Sequence, residues 1–231
     1  MPYSTLKHAK INGILFDLDG TLLDTAADLA AALNQILKSQ HVKPLSIDEV
    51  RPAISSGVAG LLNLGLRVTV KDPTFPVFRT QFLDYYHQHI CVHTHLFPGV
   101  ENLINYLQEE KWPWGIVTNK STLLTKHLIK KFRLLSKAKC IIAGDTLQYS
   151  KPHPQPLLHA CKCIACLPEN CVYVGDAKRD IEAANAAGMY SFIALYGYIS
   201  DKEDMNSWNA SASIASPLDI INYLKQTQST I

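Results

Sequence analysis

The sequence predicts an α/β fold, a parallel sheet flanked by helices, with an all-helical insertion near its start. Short apolar runs without polar alternation, at Ile11 to Phe16, Trp114 to Thr118, Cys140 to Ile142, Cys171 to Gly175 and Tyr190 to Leu195, fit strands buried on both faces. From Trp114 onward these runs alternate with stretches of helical periodicity, the pattern of a parallel sheet covered by helices. Thr25 to His95 carries helical spacing and no strand candidate, so it reads as an insertion between the first strand and the second.

Within the insertion, Thr25 with Asp28 resembles a capping box, followed by Ala26, Leu29, Leu33 and Leu37 along one helical face. Ser46 and Glu49 form a second capping-box pair, and the Ser55-Ser56-Gly57 cluster interrupts that helix before Val58 to Leu66 resumes it. Phe75, Phe78, Phe82, Tyr85 and His89 then mark a long amphipathic helix. Beyond Phe97-Pro98-Gly99, helices are expected near Val100 to Glu110, Ser121 to Phe132, Pro154 to Cys166, Lys178 to Ala187 and Pro217 to Leu224, with Gly188 supplying a left-handed stop. The organisation is therefore discontinuous: residues 1–24 and 96–231 make the core and residues 25–95 the insertion.

A net charge of +2, with no basic block interleaved with aromatics, argues against a nucleic-acid partner and favours a small-molecule substrate. No apolar run reaches the roughly 18 residues that span a bilayer, and the opening residues lack the apolar centre of a signal peptide, so a cytoplasmic location is expected. Six cysteines without a secretion signal read as free thiols.

In a parallel sheet, ligands bind outside the carboxyl ends of the strands. The first strand runs out in Asp17 and Asp19, two residues apart and hence on one face, with Gly20 permitting the turn that follows. Later runs end in Thr118-Asn119 and in Gly175-Asp176, with Asp180 one helical turn on. Lys151 lies in the proline-flanked loop Ser150 to Pro154. Asp17, Asp19 and Asp176 offer the oxygen ligands that Mg²⁺ prefers alongside a substrate phosphate, and Lys151 and the Thr118 hydroxyl suit the remaining phosphate oxygens. Three ionised aspartates and a phosphate dianion outweigh Mg²⁺ and Lys151 in charge, which favours a proton on one carboxyl. With that proton on Asp19, Asp19 acts as acid and then base while Asp17 attacks phosphorus to give an aspartyl-phosphate.

These segments, Asp17-Leu18-Asp19-Gly20-Thr21-Leu22-Leu23-Asp24, Thr118-Asn119, Lys151-Pro152-His153-Pro154 and Gly175-Asp176 with Asp180, resemble in order and spacing the four motifs of the haloacid-dehalogenase-like phosphatase superfamily. The resemblance covers about Ile11 to Leu195 and implies a HAD-like Rossmannoid core. It implies Asp17 as nucleophile, Asp19 as acid/base, Thr118 and Lys151 at the phosphate, and Mg²⁺ held by Asp17, Asp176 and the Asp19 carbonyl, with Asp180 ordering a metal-bound water or the lysine. Ala177 departs from the serine or threonine common in relatives. The insertion is similar to the small helical cap domain of the phosphoglycolate phosphatase branch. Arg51 to Gly57, Leu195 to Tyr198, Trp208 and Pro217-Leu218 are similar to phosphatases acting on N-acetylmuramic acid 6-phosphate. Asn119 is a candidate for substrate contact from the core, and Arg51, Ser55, Ser56 and Gly57 are candidates from the cap, with a plain interhelical turn as the alternative for the cap residues. A sugar phosphomutase and a non-catalytic phosphate-binding protein are the rival functions, and monomer or homodimer stays open.

Plainer readings prevail elsewhere. A calcium loop at Asp17, Asp19 and Asp28 fails because Leu22 occupies its glycine position. Cys161, Cys163, Cys166 and Cys171 lack zinc-ligand spacing, and His87, His89, His93 and His95 fit a helix surface and linker. Asp24 resembles a helix cap, whereas for Asp180 the first turn of its helix is only the alternative to its site role.

Overall fold

The computed structural model describes residues 10–201 and 203–228. Strand β1 (Gly13–Phe16) is buried along its whole length, and the chain turns after it into a two-residue strand, β2 (Leu23–Asp24). The insertion follows as α1 (Ala26–Ser39), α2 (Ile47–Val50), a 3₁₀ turn over Arg51–Ser56, α3 (Gly57–Leu66) and α4 (Phe75–Gln88). The chain leaves through β3 (His95–Leu96), which pairs antiparallel with β2.

This ribbon, which the sequence did not suggest, brackets the inserted helices, with β2 ending before Thr25 and β3 beginning at His95. Two residues per strand are too few to show alternation in sequence. The Ser46–Glu49 capping box forms in both directions, whereas the one expected at Thr25 does not. Asp28 instead accepts from the backbone N–H groups of His93 and Thr94 and from the Thr94 hydroxyl at 2.6–3.0 Å, tying α1 to the returning chain.

The remaining elements alternate: α5 (Val100–Glu109), β4 (Trp114–Val117), α6 (Thr122–Lys131), β5 (Ile141–Ile142), α7 (Gln155–Ile164), β6 (Cys171–Gly175), α8 (Lys178–Ala186), β7 (Tyr190–Ala194), β8 (Ala212–Ile214) and α9 (Leu218–Gln228). Edge strand β8 was not among the expected strands, and its three residues are too few to show a strand pattern. The sheet order is β5-β4-β1-β6-β7-β8, and every pairing is parallel. The chain winds outward from β1 through β4 to β5, then returns to the other side of β1 at β6. That reversal places the topological switch point, where a ligand crevice forms, at the ends of β1 and β6.

Alternate residues of β1 serve opposite faces, as the pleat dictates. Ile14 and Phe16 join a core that includes residues of α5, α6, α9 and the inserted helices. Leu15 packs with residues of α7 and α8. No helix among the described residues is long and apolar enough to cross a membrane.

Candidate active site

Asp17 follows β1 directly and is 2% exposed, so its carboxylate needs partners. Lys151 Nζ lies 2.9 Å from Asp17 Oδ1 and 2.7 Å from Asp180 Oδ1. The same ammonium donates to the Val117 carbonyl at 2.9 Å and to the Tyr173 hydroxyl at 2.7 Å. Four acceptors around three N–H bonds fix the lysine. Asn119 fixes its loop as well, since its amide donates to the Lys151 carbonyl at 2.8 Å and accepts from the Lys151 N–H at 3.0 Å. The Asn119 side chain, expected at the substrate, is therefore bonded to the lysine loop.

Asp180 is fully buried and holds Lys151 through Oδ1, with the Tyr173 hydroxyl at 3.5 Å from the same oxygen, and accepts from the Ala177 N–H through Oδ2 at 3.0 Å. Capping α8 and holding the lysine are thus one arrangement. Asp176 accepts from the Tyr198 N–H at 2.9 Å, with the Ser55 hydroxyl further off at 3.4 Å. Gly20 makes the turn beside it at φ +85°, and a Cβ there would collide with the Asp176 carboxylate.

Asp17, Asp176 and Asp180 each bring one oxygen to within 4.8 Å of the others, and all three residues are buried. Burial pushes Asp176 up to about 8, with Asp17 and Asp180 adding to the rise. Burial also raises Asp17, an effect that Lys151 opposes and Asp180 reinforces. The sequence set the surplus charge on Asp17, Asp19 and Asp176; in the structure Asp180 takes the place of Asp19 in the cluster, and the carboxyls raised are Asp17 and Asp176, both of them first by burial. Hard oxygen donors short of compensating charge fit a divalent cation such as Mg²⁺.

Asp19 faces away from this cluster. Its Oδ1 accepts from Lys120 Nζ at 3.0 Å and from the Thr25 hydroxyl at 2.8 Å. Its Oδ2 has no hydrogen bond among the described residues. Lys120 also lies 4.7 Å from the Tyr86 ring centroid. Burial works against the Lys120 charge, but Asp19 and Tyr86 outweigh it and hold the ammonium above its ordinary value. Thr118 is buried and accepts from the Lys120 N–H at 3.2 Å.

A cavity of about 620 Å³ opens above these groups. Asp17, Asp19, Thr118, Asn119, Lys120 and Arg179 line it from the sheet side, and Ser55, Ser56 and Gly57 line it from the insertion. Gly57, at φ +66°, ends the 3₁₀ turn and opens α3, so the break in the helices does face the site. Arg51 does not line the cavity. Its guanidinium pairs with Asp24 at 3.0 Å and lies 5.4 Å from the Tyr198 ring centroid, so a substrate contact is not where the structure puts it. Asp24 also accepts from the Ala26 N–H and the Tyr198 hydroxyl, as a residue at a helix start can.

Lys120, Arg179 and Tyr173 escaped the sequence reading, and Tyr198 entered it only within the Leu195 to Tyr198 resemblance, without a role. Lys120 and Arg179 adjoin recognised segments, so a basic residue beside each was the available signal. Arg179 donates to the Ser55 carbonyl, and its Nε has no partner among the described residues. Tyr173 gave no signal and Tyr198 no sign of its role, since both roles depend on which elements meet. All six cysteines are free, and among the described residues no cysteine or histidine joins a cluster able to hold a metal. His87 instead pairs with His127 at 2.9 Å.

A family model for haloacid dehalogenase-like hydrolases matches residues 14–194. A phosphoglycolate phosphatase of Xylella fastidiosa is 39% identical over 207 residues, covering 88% of this chain and 89% of its own length. An N-acetylmuramic acid 6-phosphate phosphatase of Pseudomonas putida is 31% identical over 211 residues, covering 91% and 95%. Among solved structures, a predicted phosphoglycolate phosphatase of Haemophilus somnus superposes with a TM-score of 0.82 at 26% identity, over 93% of this chain and 98% of that one. With the family match spanning most of the chain and the four motifs meeting at the strand ends, this protein belongs to the haloacid dehalogenase-like hydrolase family.

Proposed function

We propose that this phosphoric monoester hydrolase cleaves a small phosphate ester through an aspartyl-phosphate on Asp17. The observation that carries the reading is the setting of Asp17, whose carboxylate lines the cavity at the switch point and rests on the Lys151–Asp180 pair. Asp17 attacks phosphorus, and Lys151 balances charge from below. Asp19 gives a proton to the leaving oxygen and then takes one from the water that hydrolyses the aspartyl-phosphate. Its hydrogen bonds to Lys120 and Thr25 fall on Oδ1, which leaves Oδ2 for that transfer. Thr118 offers its hydroxyl to a phosphate oxygen.

Mg²⁺ is the proposed cofactor, with Asp17, Asp176 and the Asp19 main chain as its holders and Asp180 supporting them. When bound, it supplies the positive charge that draws nucleophile and phosphate together. The proposed division is a core of residues 1–24 and 96–231 and a cap of residues 25–95. The cap closes the cavity against water. Free thiols suit the reducing cytoplasm, the proposed location.

The named relatives supply two candidate substrates, 2-phosphoglycolate and N-acetylmuramic acid 6-phosphate. Hydrolysis of p-nitrophenyl phosphate with Mg²⁺ tests the chemistry. Asp17→Asn abolishes turnover if Asp17 is the nucleophile, and wild-type-like activity in that variant would sink the assignment. A panel holding both natural candidates, compared by kcat/KM, tests the substrate.

A further inference from the structure

The inserted helix α4 turns one face to the cavity, made of Phe75, Arg79, Phe82, Leu83 and Tyr86. Those positions recur at spacings of three and four, the stripe by which a helix normally presents apolar side chains. A cation in the middle of that stripe has no packing reason to be there. Arg79 is exposed and makes no ion pair among the described residues. The other cations lining the cavity are engaged, Lys120 by Asp19 and Arg179 by the Ser55 carbonyl. No cavity acid is left for Arg79: Asp17 meets Lys151, Asp19 meets Lys120, and Asp145 accepts from the Thr122 N–H and hydroxyl.

Position along α4 sets a length. Tyr86 is buried beside Lys120, at the reacting end. Arg79 lies seven residues back along the helix, about 10 Å at the rise of an α-helix. Between them along α4 come Phe82 and Leu83, and Val58 and Leu61 of α3 add apolar lining to the same cavity. The carboxylate of 2-phosphoglycolate lies only about 4 Å from its phosphorus, given bond lengths of about 1.5 Å. Such an ester, held at Asp17, leaves the apolar middle uncovered.

Resting on the phosphatase reading above, we infer that Arg79 determines specificity by binding an anionic group at the far end of an extended leaving group. The substrate class is a phosphate ester whose leaving group has an uncharged body and ends in a carboxylate or a second phosphate. The planar guanidinium matches either anion with paired hydrogen bonds.

The test compares the wild type with Arg79→Gln and Arg79→Lys on esters paired to differ in one anion. N-acetylmuramic acid 6-phosphate is set against N-acetylglucosamine 6-phosphate, which lacks the lactyl carboxylate, and glucose 1,6-bisphosphate against glucose 6-phosphate. Losing a charge-assisted contact lowers kcat/KM by roughly ten- to a hundred-fold, expressed in KM. That loss should fall only on the anion-bearing member of a pair, with Arg79→Lys restoring part of it. Loss on the muramic pair identifies a carboxylate, and loss on the glucose pair a phosphate. p-Nitrophenyl phosphate hydrolysis should be unchanged and shows that the variants are folded. Equal losses on all esters, or no loss on either acid-bearing member, overturn the assignment, as does a wild-type preference for 2-phosphoglycolate that Arg79→Gln leaves intact. A wild type that hydrolyses no ester at all instead defeats the phosphatase reading, and this inference with it.

Discussion

At the scale of single residues, the carboxylates at the strand ends are arranged for chemistry at the expense of stability. Asp17 and Asp176 are buried, and burial raises both above the ordinary aspartate value, so without a cation their charged forms are disfavoured. Asp176→Asn should therefore stabilise the metal-free protein while abolishing Mg²⁺-dependent turnover, and thermal unfolding beside a p-nitrophenyl phosphate assay reads both. Lys151 is the converse case. Lys151→Met leaves Asp17 and Asp180 facing each other without their shared ammonium, and breaking a buried pair this way costs about 3–5 kcal/mol. Urea unfolding should show that loss, and equal stability of the variant would mean that the lysine charge is not needed to keep the two aspartates together.

At the scale of elements, the joint between sheet and insertion is built from β2, β3 and the tyrosine that reaches them. The buried Tyr198 hydroxyl accepts from the Thr25 N–H, with a heavy-atom separation of 2.6 Å, and lies 3.0 Å from Asp24 Oδ1, while Thr25 in turn holds Asp19. Tyr198→Phe leaves the Thr25 N–H without that partner, a loss of about 1–3 kcal/mol. It should also lower kcat, because the Asp19 support moves with Thr25. Unchanged kcat in that variant would separate the joint from the chemistry. The long elements were legible in the sequence for a physical reason: β1, β4, β6 and β7 are short apolar runs, and α1, α4 and α7 carry one apolar face each. So were the positions of Asp17, Thr118 and Asp176, since polar residues that interrupt an apolar run mark a strand's end, while Lys151 stood out by the prolines around its loop. The two-residue ribbon, edge strand β8, the Arg51–Asp24 pair and the tyrosines depend on contacts between distant segments, which local pattern does not encode. Asp28 shows the limit, because it sits at capping-box spacing yet holds His93 and Thr94, 65 and 66 residues away.

For the whole molecule, metal binding and folding should be coupled through pH. The folded-state value of Asp176, about 8, lies above its ordinary value of 3.8. Between these values the folded protein binds more protons than the unfolded chain, so metal-free stability falls as pH rises across that window. A divalent cation binds the ionised carboxylates and competes with those protons, so it binds more tightly as pH rises toward about 8 and releases protons as it does so. Metal-free Tm should therefore decline between pH 5 and pH 8, while the Tm gain on adding Mg²⁺ grows over the same interval. At a concentration of 100 Kd the gain corresponds to about 2.7 kcal/mol. Asp176→Asn removes the titrating group, so it should flatten the decline and shrink the gain together. Scanning calorimetry with and without Mg²⁺, in both proteins, measures all four slopes. A wild-type gain independent of pH would mean that the cation does not displace protons from this cluster. The linkage would then have to be sought in other titrating groups of the fold.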